Sequence, residues 1–112
     1  MFPSGPWRGY WEQVGWGRQA MNDFVLRFVE GTVLGQGTDC IGPFTFQGRY
    51  DQAGRVTLIK HYLGRHTVKY EGSYDGEGTI FGRWSIGTGW SGPFAMSPVA
   101  ARPAADAPIQ TL

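Results

Sequence analysis

The chain has 112 residues, a formal net charge of +1 and a single cysteine. That length suits one domain, the near-neutral charge excludes a broad electrostatic attraction to nucleic acid or an anionic membrane, and a lone cysteine excludes an internal disulfide framework. Aromatic residues make up 15% and glycine fills 18 positions, a pairing that suits short strands joined by tight turns.

The lone Cys40 fits a reducing compartment, so a cytoplasmic setting is expected. The opening "MFPSGPW" has neither the basic nor the apolar region of a secretory signal. The longest apolar run, "FVLRFV", is broken by Arg27, so no segment is expected to span a bilayer. Residues 1–6 read as a flexible N-terminus, 7–97 as the folded domain and 98–112 as a disordered Pro/Ala-rich tail.

Within the domain, glycines interrupt every helical window and period-2 alternation fits better. Strands are expected over 7–14, 22–30, 32–39, 43–50, 55–63, 66–74, 79–86 and 90–97. The fold class is all-β. The near-regular spacing points to a single eight-stranded antiparallel up-and-down barrel.

The stretch "GYWEQ" (9–13) opens the first strand, and "GWGRQAM" follows as the longest loop, carrying Trp16 and Arg18. In "FVEGTVLG" a two-residue Glu30-Gly31 turn sets Phe24, Leu26, Phe28, Val33 and Gly35 on one face. Continued alternation brings Asp39 inward too. Further along, "GRYDQAGRV" (48–56) returns as "GSYDGEGTI" (72–80). In each copy D-x-x-G reads as a type I turn closed by a glycine bulge. The first copy pairs Tyr50 with Val56, Gly48 with Leu58, Phe46 with Lys60 and Phe44 with Tyr62. The second pairs Tyr74 with Ile80, Gly72 with Gly82 and Tyr70 with Trp84. Directly paired residues share a face, so these sets are taken as inward.

The inward glycines have two readings: relief of crowding where strands bend, or space for a ligand. The turn "LGR" also has two. An odd loop pairs Tyr62 with His66 and Lys60 with Val68, and agrees with the preceding register. A two-residue Gly64-Arg65 turn sets Lys60 against Lys69, a like-charge pair. The odd loop is therefore favoured.

The G-x-[YW] pattern at 9–11, 48–50, 72–74 and 82–84 resembles the avidin/streptavidin group of calycin barrels. "GYWEQ" is similar to that group's G-x-W-x-[NQ] opening strand, and "QGRYDQAG" to its patterned strand and turn. The resemblance implies a core role for Trp11 and a polar ligand contact at Gln13. Tyr50 takes the patterned tyrosine's place, near the end closed by tight turns. The group's ligand-binding serines and threonines and its stacking tryptophans have no counterparts, so the resemblance carries architecture and not biotin binding.

Tight turns at 30–31, 51–54 and 75–78 fall at one end of such a barrel. The longer loops fall at the other, which becomes the mouth. There Gln13, Trp16, Asp39, Lys60, Tyr62, His66 and Trp90 form the expected ligand-binding set. Lys60 carries most weight, because a buried lysine needs a carboxylate partner or loses its proton. Its readings are a structural pair with Asp39, a stem with its ammonium at the mouth, and a contact to a ligand anion. His66 is either a titratable ligand contact or a rim residue bonded to Tyr62 or backbone. Trp16 and Trp90 serve either as a gate or interface, or as a simple lid over the core.

The expected function is binding of a small, partly apolar ligand that carries an anionic group. No catalytic set, metal or cofactor is expected: His61 and His66 with one cysteine lack metal-ligand spacing. Nucleic acid and membrane are not expected partners. Outward Val25, Val29, Ile59 and Phe81 point to a homo-oligomer. Two alternatives stand beside this reading. One is an isomerase or cyclase using Lys60, His66 or Tyr62 as acid or base on a hydrophobic substrate. The other is a filled barrel serving as a structural or oligomerising module.

Overall fold

The computed structural model describes residues 2–99, apart from the side chains of Asn22 and Asp23. Its strands are β1 (Gly5–Gln13), β2 (Gly17–Val29), β3 (Thr32–Thr38), β4 (Pro43–Tyr50), β5 (Arg55–Tyr62), β6 (Thr67–Tyr74), β7 (Ile80–Ile86) and β8 (Trp90–Pro98). Each pairs antiparallel with the next, and β8 pairs with β1, closing an up-and-down barrel in chain order. No helix among the described residues is long and apolar enough to cross a membrane.

Alternation makes the wall two-sided. Along β5, Val56, Leu58, Lys60 and Tyr62 are buried while Arg55, Thr57, Ile59 and His61 are exposed. The repeated nine-residue stretch fixes this register. Asp51 Oδ1 accepts the N–H groups of Ala53 (2.9 Å) and Arg55 (3.0 Å), and Asp75 Oδ1 accepts those of Glu77 (2.7 Å) and Thr79 (3.0 Å). Gly54 (φ +88°) and Gly78 (φ +106°) take backbone conformations where a β-carbon is costly. Tyr50 therefore faces Val56, Phe46 faces Lys60, Phe44 faces Tyr62 and Tyr70 faces Trp84. The odd loop is the one adopted: Tyr62 N–H donates to the His66 carbonyl (3.1 Å), and Lys60 faces Val68.

The first loop is a correction. Trp16 N–H donates to the Gln13 carbonyl (2.9 Å), which closes the turn at once, and the ladder starts at Gln13 opposite Gly17. Arg18 is thus a strand residue opposite Glu12; its guanidinium bonds that carboxylate (2.9 Å) and lies 3.8 Å over the Tyr10 ring. A register shift between Trp7 and Gly9 lets both Met21 and Phe24 be buried. Strict alternation read back from Phe24 misses Met21, so the strand looked shorter in sequence than it is.

The N-terminus is a second correction. Gly5 and Pro6 pair with Leu26 and Val25. Phe2 is buried at the tight-turn end, stacked on Phe28 (4.9 Å) and edge-on to Tyr74 (5.0 Å) and Tyr50 (5.6 Å). Those rings leave apolar surface at the barrel's base, and Phe2 covers it. The expected disordered tail lies outside the described residues from position 100 onward; Pro98 still closes β8.

Inward glycines serve close strand approach. A β-carbon at Gly48, Gly82 or Gly92 would run into the carbonyl oxygens of Thr57, Glu71 and Glu12 respectively. Below the mouth the interior is filled. Trp7, Phe24, Phe46, Leu26, Leu58 and Ile80 are essentially without exposed surface.

Candidate functional site

The turn 39–42 places Asp39 over the upper end of the core. Asp39 N–H donates to the Gly42 carbonyl (3.1 Å), Gly42 N–H returns the bond (3.0 Å), and Asp39 Oδ1 accepts Ile41 N–H (2.9 Å). This small closed turn aims Oδ2 inward. Oδ2 accepts Lys60 Nζ (2.6 Å), Tyr62 O–H (2.7 Å) and Trp11 Nε1–H (3.2 Å). Neither the Lys60 nor the Asp39 side chain has any exposed surface.

The lysine's remaining environment is built for an ammonium group. Nζ lies 3.3 Å from Tyr70 Oη and 3.2 Å from Met21 Sδ, so its three N–H donors have three acceptors. It also sits 4.3 Å from the Phe44 ring centre and 4.6 Å from that of Tyr62, within cation–π range. Burial pushes the Lys60 ammonium down to about 8, against the pull of Asp39. Burial pushes the Asp39 carboxyl up, but the Lys60 charge and the bonds from Lys60, Tyr62 and Ile41 outweigh it and hold the carboxyl below its ordinary value. Burial and the Asp39 carboxylate raise the hydroxyls of Tyr62 and Tyr70 well above the ordinary tyrosine range.

Above this network opens a cavity of about 320 Å³. Its walls include Trp11, Trp16, Trp84 and Trp90, with Tyr62 and Tyr70 below and Ile41, Val68 and Ile86 between. Trp11 stands 6.0 Å from Trp84 in an edge-to-face pair and 6.3 Å from Trp16 at a shallow tilt. The polar atoms of the inner rings are engaged elsewhere. Trp84 Nε1–H donates to the Glu12 carbonyl (2.8 Å), while Trp11 and Tyr62 donate to Asp39. What these rings offer the cavity is chiefly apolar surface. Gln13 and His66 supply polar groups at its edge.

The expected set divides accordingly. Gln13, Trp16, Tyr62, His66 and Trp90 line the cavity. Asp39 and Lys60 lie beneath it and pair with each other. The ammonium is thereby taken up, so a contact between Lys60 and a ligand anion is corrected: desolvated and matched on every donor, it has no proton to offer the cavity. Trp11, read in sequence as core, and Trp84 and Tyr70, read as inward, line the cavity as well as being buried. The signal for them was available: each is an inward aromatic close to a mouth turn, where a core side chain becomes a cavity wall.

No protein-family model and no curated protein matches this chain.

Proposed function

We propose that the protein binds one small, neutral, largely apolar ligand in the mouth of the barrel, without chemical conversion. The observation that carries this is the tryptophan-walled cavity of about 320 Å³, at the small end of ligand pockets, above an ion pair that neutralises itself. A ring-bearing ligand would stack against Trp11, Trp16, Trp84 or Trp90, and Gln13 and His66 would orient it by hydrogen bonds. Among the described residues no lysine or arginine lines the cavity, which argues for a neutral ligand over an anionic one. The avidin-like pattern belongs to this reading as kinship of architecture with a different ligand. Self-association through the outer faces of β2, β3 and β5 also belongs to it, on the exposed Val25, Leu34 and Ile59.

An acid–base enzyme draws less support. The Tyr62 hydroxyl donates to Asp39 and Lys60 is enclosed, so His66 alone would be free to act. A neutral fluorescent probe, N-phenyl-1-naphthylamine, tests the binding reading. Its emission should rise on mixing with the protein and saturate at one site, and Ile86→Trp, which fills the cavity, should abolish the rise. An unchanged titration in that variant contradicts the assignment.

A further inference from the structure

The apolar surface around the cavity does not stop at its walls. In the mouth turn 14–16, Val14 is 98% exposed and Trp16 57%; in the turn 63–66, Leu63 is 53% exposed; at the start of β8, Trp90 is 59% exposed. Groups of this size project into solvent from separate turns, yet all at one end of the barrel. Scattered apolar surface is normal, but a ring of it around an apolar opening marks a contact surface.

Charge is distributed to match. The turns at the opposite end carry Glu30, Asp51, Asp75 and Glu77. The mouth turns carry one carboxylate, Asp39, which is buried against Lys60, and one solvent-facing cation, Arg65. Glu12, just below the rim, is paired with Arg18. A surface approaching the mouth therefore meets tryptophan, leucine, valine and a weak positive charge, with the carboxylate-bearing turns facing away. Tryptophan favours the boundary between water and lipid, where its ring is apolar and its N–H stays wet.

We propose that the mouth docks on an anionic lipid bilayer surface, with Val14, Trp16, Leu63 and Trp90 entering the interface, so that the ligand is a lipophile exchanged directly between bilayer and cavity. The near-neutral charge of the whole chain pointed away from a membrane; the placement of these side chains points toward one. The docking inference rests on the cavity being a ligand site, but the two fail separately.

The test uses the full chain and vesicles of equal parts phosphatidylcholine and phosphatidylglycerol. The protein should float with the vesicles, and brominated acyl chains should quench its tryptophan emission. Val14→Asp with Leu63→Asp should weaken vesicle binding by at least about tenfold. Neither residue lines the cavity, so the same variant should bind N-phenyl-1-naphthylamine in vesicle-free buffer as the wild type does. Failure of the wild type to float overturns the docking inference, as does flotation indifferent to these substitutions. A concentration-dependent dimer in sedimentation that the substitutions dissolve also overturns it, by assigning the rim to a second copy. Flotation without probe binding would remove the cavity reading and leave the docking surface standing; probe binding without flotation would do the reverse.

Discussion

Lys60 Nζ and Asp39 Oδ2 lie 2.6 Å apart with no exposed surface on either side chain, and the mouth cavity opens above them. Taking two charges out of water costs several kcal/mol per ion, and only close pairing with further hydrogen bonds offsets it. Tyr62, Trp11, Tyr70 and the Ile41 N–H supply those bonds. Removing Lys60 leaves the Asp39 carboxylate buried and unpaired; removing Asp39 leaves a buried Lys60 with no counter-charge, which must bear that cost or give up its proton. Asp39→Asn and Lys60→Met should each lower stability by about 3–5 kcal/mol, whereas the double substitution should cost clearly less than their sum. Urea unfolding of the four proteins measures this, and additive losses would count against the pair.

The same pair shapes stability against pH. Lys60 titrates at about 8 in the fold against 10.5 when free, so between those values the folded state holds fewer protons than the unfolded chain. By linkage, stability rises with pH through that window. Above the free tyrosine value of 10.0 the sign reverses, because Tyr62 and Tyr70 keep protons that the unfolded chain releases. Asp39 acts at the acid end. Its carboxyl is held below its free value of 3.8, so its contribution is full above that value and is lost as pH falls below it. Thermal melts should therefore show a rise between pH 8 and 10 that Lys60→Met lacks.

Close strand approach at Gly48 and Gly82 makes a different prediction. Their added β-carbons would meet backbone oxygens of Thr57 and Glu71, which cannot swing aside. Gly48→Ala and Gly82→Ala should each destabilise by about 3 kcal/mol, although alanine suits a strand no worse than glycine. Denaturant midpoints would check it, and neutral substitutions would mean that the strands can separate there.

Phe2 offers a test at the other end. It covers the Phe28, Tyr50 and Tyr74 rings. Phe2→Ala should cost about 3 kcal/mol and leave probe binding at the mouth unchanged. A negligible loss in thermal melts would show that the N-terminal segment does not cap the barrel.

Much of this was legible before the fold was known, and for identifiable reasons. The Asp51 and Asp75 clasps fix register through local hydrogen bonds, and register carries every inward residue from Phe44 to Trp84. Asp39 was reachable by continued alternation, and its pairing with Lys60 followed from its place at the mouth beside β4, the neighbour of β5. Arg18 and Phe2 were not legible. The first depended on how abruptly the 14–16 turn closes, and the second on a long-range ring contact that no periodicity announces. The engagement of Lys60 was open for a related reason: sequence pattern sets which face a side chain takes but not how many partners wait there.

In the binding reading proposed above, the tryptophan-walled mouth, and not the buried pair beneath it, holds a small apolar ligand. Native mass spectrometry of the full chain purified from its own host, beside Ile86→Trp prepared in the same way, addresses it most directly. The wild type should carry a single added mass released by organic solvent, and the variant should run at its chain mass. A wild type free of any adduct, or an adduct equally retained by the variant, would contradict that reading.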